Sequence, residues 1–138
     1  MRKRFIRIGG IVLMLAVIFG AFGAHGLKQY LSSDDIATYE TGVEYQFYHG
    51  FGILIVALLI HYRKTSFLNY AAWSFLAGII MFSGSLYFFT AAKVLNMEAP
   101  SWVGPITPLG GTLLIIGWIC LIIATFQETE RKSRKSHN

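Results

Sequence analysis

The sequence predicts an all-α membrane protein, a single domain of four transmembrane helices. Three observations predict it. Hydrophobic residues make up 54% of the 138 residues and charged residues only 14%, too apolar a balance for an ordinary soluble domain. Four stretches, 8–27, 45–62, 70–92 and 108–126, hold no Asp, Glu, Lys or Arg. Each is about long enough, at 1.5 Å per residue, to cross about 30 Å of hydrocarbon as a helix. Basic residues also alternate across these stretches. Arg2, Lys3, Arg4 and Arg7 precede the first, Arg63 and Lys64 lie between the second and third, and Arg131, Lys132, Arg134 and Lys135 follow the fourth. The other side has Lys28 and Lys93 beside Asp34, Asp35, Glu40, Glu44 and Glu98. By the positive-inside rule both termini face the cytoplasm. The runs lack the period-two alternation of a membrane barrel.

The first span follows a basic start, as a signal peptide does, and Ala21-Phe22-Gly23 has the small residues of a cleavage site. Its 20 apolar residues exceed the 7–15 of a signal core, so a retained helix is expected. Gly9, Ala16, Gly20 and Gly23, with Ala24 beside them, form a stripe at spacings of seven, four and three. Such stripes let helices approach closely in lipid. Packing within the chain and a homo-oligomer interface both use them, and a four-helix fold already needs the first. Gly20-x-x-Gly23-x-x-Gly26 lies inside an apolar helix, so it is not a nucleotide loop.

After the first span, Ser33 suits an N-cap, and Asp34 and Asp35 suit a first helical turn. Ile36, Tyr39 or Glu40, and Val43 follow at helical spacing, which predicts a short interfacial helix over about 34–42 running into the second span, with Gly42 at the bend. In the second span Gln46 and His49 fall near the outer start and His61 at the inner end. Glu44, at the outer mouth, reads as solvated.

The third span carries Ser83, Tyr87 and Thr90 on one face, with Ser85 pointing nearly the opposite way. Ser74 and Gly78 form a second small pair. The following loop holds Pro100, Pro105 and Pro108 with Trp102 at the interface, and Thr107-Pro108 reads as N-cap and first position of the last span. Gly110 and Gly117 form a short stripe there. Residues 127–138 form a polar, basic tail that is expected to be mobile.

These features bound the function. The loops are too short for a soluble catalytic domain. The single Cys120 excludes an intrachain disulfide and a Cys-cluster zinc site, and reads as packing. The sequence pI near 9.5 reflects topology-setting charges, and no nucleic-acid-binding motif is present.

His25, Gln46, His49, Ser83, Tyr87 and Thr107 converge in depth on the outer leaflet. Three readings fit: an interhelical hydrogen-bond network, a binding pocket open outward, or haem ligation by His25 and His49. Two histidines without a third ligand assign no metal site. No nucleophile–base–orienter set assembles, so no catalytic residue is assigned.

Five ordered segments complete the pattern: 20–27 (GAFGAHGL), 45–49 (YQFYH), 82–87 (FSGSLY), 106–111 (ITPLGG) and Gly117-Trp118. Together they closely resemble DUF423, a family of small bacterial inner-membrane proteins of unknown function, across roughly residues 5–125. Here His49 is followed by Gly50-Phe51-Gly52, the stretch 93–104 looks longer than usual, and the basic tail looks like an extension. The resemblance implies a multi-pass plasma-membrane protein and brings no reaction, substrate or cofactor. It picks out His25, Gln46, His49, Ser83, Ser85, Tyr87, Thr107 and Pro108 as family-like positions.

The expectation is a non-enzymatic accessory or interaction module with a small outer-leaflet polar site. The alternatives are a small oligomeric transporter or channel and a haem-binding redox subunit. The expected partners are the lipid bilayer and either a second copy or another membrane protein.

Overall fold

A computed structural model of the chain describes residues 1–63 and 65–136, with side chains described through residue 127. Helix α1 spans Arg2–Phe22 and passes into a π-helical turn, Gly23–Leu27. Helix α2 spans Ser33–Tyr62, α3 Ser66–Val94 and α4 Ile106–Ser136, with a 3-10 turn at Ser101–Val103. All four helices are long and apolar enough to cross a membrane.

Each helix packs on its neighbour in sequence: α1 on α2, α2 on α3, and α3 on α4. Polar contacts tie both ends of the bundle. At the basic end, Arg2 Nη1 meets His61 Nδ1 at 3.2 Å. There, too, Arg63 donates to the Thr125 carbonyl at 3.4 Å and Thr65 donates to Gln127 Oε1 at 2.9 Å. At the opposite end Lys93 pairs with Asp35, which joins the end of α3 to the start of α2.

The helices run longer than the charge-free stretches. The expected interfacial helix is continuous with the second span, and no break occurs at Gly42. Gly42 is buried, and a Cβ on it would lie 3.0 Å from the Tyr87 ring, so the glycine serves packing of α2 on α3. The N-cap is Ser32, one residue before the expected Ser33; its hydroxyl accepts from Asp35 N at 3.3 Å and donates to the Asp35 carboxylate at 2.8 Å. Helix α4 starts at Ile106, and the Pro105 carbonyl accepts from Leu109 N at 3.4 Å. Thr107 therefore lies inside the first turn instead of capping it, and its hydroxyl is free to bond across to α3. The α4 backbone stays helical to Ser136. The side chains of 128–136 and the whole of 137–138 lie outside the described residues, and the expectation of a mobile tail falls there.

The small-residue stripe of α1 faces α2. Ala16 is fully buried, and Cβ atoms on Gly9, Gly20 and Gly23 would meet Leu54, Val43 and the Tyr39 ring. Ala24 is exposed and takes no part. Gly78, Gly110 and Gly117 line the α3–α4 seam against Leu114, the Phe82 backbone and Phe75. The main core centres on Phe75, Ile53, Val56 and Leu68, all 0% exposed. Cys120 packs against its edge.

Candidate functional site

Most of the polar residues fall in four local environments. Gln46 is the central one. It is 4% exposed, its Nε2 donates to the Val12 carbonyl of α1 at 2.9 Å, and its Oε1 accepts from the Tyr87 hydroxyl of α3 at 2.7 Å. One amide thus links three helices. Because α2 begins at Ser33, Gln46 stands about 24 Å from the basic end of a helix about 45 Å long, close to its middle. The charge-free stretch alone places it at the outer start.

Beside it is an aromatic group. Tyr87 meets Phe19 edge-on at 5.1 Å and Tyr39 at 5.2 Å between ring centroids. The Tyr39 hydroxyl donates to the Phe19 carbonyl at 2.7 Å. That carbonyl lies where α1 passes into the π-helical turn. There the backbone bonds shift register, and Gly23 leaves room for the Tyr39 ring.

The second environment is the α3–α4 contact, where Ser85 and Thr107 share a hydrogen bond of 2.6 Å and Ser85 also donates to the Phe82 carbonyl at 2.8 Å. The third surrounds His49, which is 6% exposed. Its Nδ1 meets the Tyr45 carbonyl at 2.7 Å, and its ring packs on Phe75 of α3 and Trp118 of α4 at 5.6 and 6.0 Å.

His25 lies apart from these. It is exposed on the π-helical turn, with Nδ1 3.2 Å from the Ala21 carbonyl of its own helix. The two histidines therefore have different neighbours: His49 is enclosed by α3 and α4, and His25 stands outside on the α1 end. Thr90 bonds its own helix at the Leu86 carbonyl, at 2.9 Å.

Ser83 is the fourth environment. It is 1% exposed, and its hydroxyl finds no partner among the described residues. It lies along a cavity of about 480 Å³ between α1 and α3, with Gln46 at the floor. Ile8, Ile11 and Leu15 form one wall, and Leu76, Ile80 and Gly84 the other.

Residues 19–111 match the family model described as "Protein of unknown function (DUF423)". The chain belongs to the DUF423 family. A UPF0382 membrane protein of Staphylococcus aureus is 46% identical over 125 residues, 91% of this chain and 97% of that protein. A UPF0382 membrane protein of Bacillus subtilis is 42% identical over 123 residues, 88% of this chain and 95% of that one. No solved structure matches. These DUF423 relatives carry no enzyme name, and this member is an integral, multi-pass membrane protein of unknown molecular function. The matched stretch contains both partners of the Gln46–Tyr87 and Ser85–Thr107 bonds; Val12, outside it, contributes only a backbone carbonyl.

Sequence reasoning passed over Tyr39 as a site residue. The signal was its spacing: Tyr39 and Gln46 are seven apart and share a helix face once α2 is taken as continuous.

Proposed function

We propose that this protein is a non-enzymatic accessory of the bacterial plasma membrane, with its termini and the α2–α3 turn in the cytoplasm. It acts through its lateral faces and short loops on lipid, a second copy or another membrane protein. The observation that carries this reading is the bonding of Gln46. This buried amide is engaged on both its atoms, to Val12 and Tyr87, and holds three helices together. A polar group in lipid that has found protein partners serves cohesion.

The orientation rests on charge. Arg2, Lys3, Arg4, Arg7 and Arg63 gather at one end, and Asp34, Asp35, Glu40, Glu44 and Glu98 at or near the other. Two experiments test the reading. A cysteine introduced at Ser101 should react with an impermeant maleimide in intact cells, and one at Thr65 should not; the reverse pattern overturns the orientation. Gln46→Leu should lose thermal stability and genetic complementation together. A Gln46 variant with wild-type stability and no complementation would assign chemistry to the amide and overturn the non-enzymatic reading.

A further inference from the structure

The cavity between α1 and α3 has a shape, a position and a charge that identify an occupant. Its lining runs from Ile8 to Phe19 on α1 and from Leu76 to Tyr87 on α3. Eleven residue steps on each helix give a length of about 16 Å, about half of a hydrocarbon core of about 30 Å and so one leaflet deep. A volume of about 480 Å³ over that length leaves a mean cross-section of roughly 30 Å². A single hydrocarbon chain, with carbons in contact at about 4 Å, needs roughly 20 Å².

The walls are aliphatic, and Gly84 faces open space with nothing within 4 Å of where a Cβ would be. The aromatic pairs Phe5–Trp73 and Phe19–Tyr87, at 5.7 and 5.1 Å, bridge α1 and α3 at the two ends. A chain therefore enters from the side, out of the surrounding lipid.

The basic mouth selects the headgroup. Arg4 and Arg7 lie four and one residues before Ile8, and 4, 7, 8, 11 and 15 share one helical face. Both arginines are exposed. The Arg4 guanidinium rests 4.8 Å above the Trp73 ring at the foot of the groove, a stacking that leaves its N–H edges available for a phosphate.

We propose that this groove is a binding site for one anionic phospholipid of the basic-end leaflet, with an acyl chain between α1 and α3 and its phosphate at Arg4 and Arg7. The site goes beyond the accessory reading and depends neither on orientation in the cell nor on the absence of catalysis.

The test is native mass spectrometry of the detergent-solubilised full chain, titrated separately with phosphatidylglycerol and with phosphatidylcholine of identical acyl chains. The wild type should retain one phosphatidylglycerol in preference to phosphatidylcholine. R4Q/R7Q should lose that preference by about fivefold for each arginine. Gly84→Phe, filling open space, should weaken retention of both lipids at least tenfold while leaving helicity unchanged; Ile80→Trp, at a position 64% exposed, does the same from the rim. Wild-type retention by both groove-filling variants would overturn the proposal, as would equal binding of the two lipids by the wild type. A wild-type dimer that Gly84→Phe dissociates would assign the groove to a second copy and overturn it too.

Discussion

Asn96 adopts a left-handed backbone, φ 53°, just past the end of α3. The Met97 amide reaches back to the Ala92 carbonyl at 2.8 Å and the Asn96 amide to Lys93 at 3.0 Å. This double bond pattern closes a helix C-terminus with a residue that tolerates positive φ. Asn96→Gly should therefore leave stability unchanged or raise it slightly, and Asn96→Val should lower it by about 1–2 kcal/mol; detergent thermal melts of the pair check this. Ser83 gives the opposite case. Its hydroxyl is buried with no partner among the described residues, and removing an unmet polar group is neutral or stabilising. Ser83→Ala should keep or raise the thermal midpoint. Gln46→Leu, which breaks two interhelical bonds, should cost about 0.6–1.7 kcal/mol for each bond lost.

At the scale of elements, the α3–α4 seam is set by backbone approach. A Cβ on Gly110 would strike the backbone of Phe82 and Met81, which no side-chain rotation relieves, whereas one on Gly84 meets nothing. Gly110→Ala should push α4 off α3 and lower the midpoint of unfolding; Gly84→Ala should leave it within about 0.5 kcal/mol. Cysteine cross-linking between Ser85 and Thr107 positions, whose hydroxyls lie 2.6 Å apart in the wild type, reports the separation directly. The four spans were legible because lipid imposes a length and excludes charge, and those constraints are written residue by residue. Helix ends were less legible. Charged residues stop the apolar run but do not stop a helix, so α2 begins at Ser33, and α4 begins at Ile106, ahead of the Pro108 that the sequence places at its first position. That shift moved Gln46 to mid-helix and turned Thr107 from a cap into a partner of Ser85. The pairing of side chains was least legible, because depth is one coordinate and contact needs three. His25 and His49 share a depth by sequence and have separate neighbours in the fold.

For the whole molecule, α2 and α3 form the middle, with α1 against the first and α4 against the second. Phe75 joins the layers. It is 0% exposed, meets Trp118 edge-on at 4.9 Å, and fills the spaces that Gly52 of α2 and Gly117 of α4 leave open. Lipid is as apolar as this core, so transfer from water adds little to Phe75's contribution, and packing dominates. Truncation to alanine then loses mainly the cavity term. At about 24 cal/mol per Å³, a void of roughly 100 Å³ costs about 2 kcal/mol, below the 3–5 kcal/mol of a water-soluble core. Ile18, 52% exposed to the surrounding lipid, leaves no void when shortened, because lipid chains fill the gap. Reversible unfolding in mixed micelles should therefore place Phe75→Ala about 2 kcal/mol below the wild type and Ile18→Ala within about 0.5 kcal/mol of it. Equal losses at the two positions would mean that burial area governs this bundle, and that the glycine-lined fit around Phe75 does not.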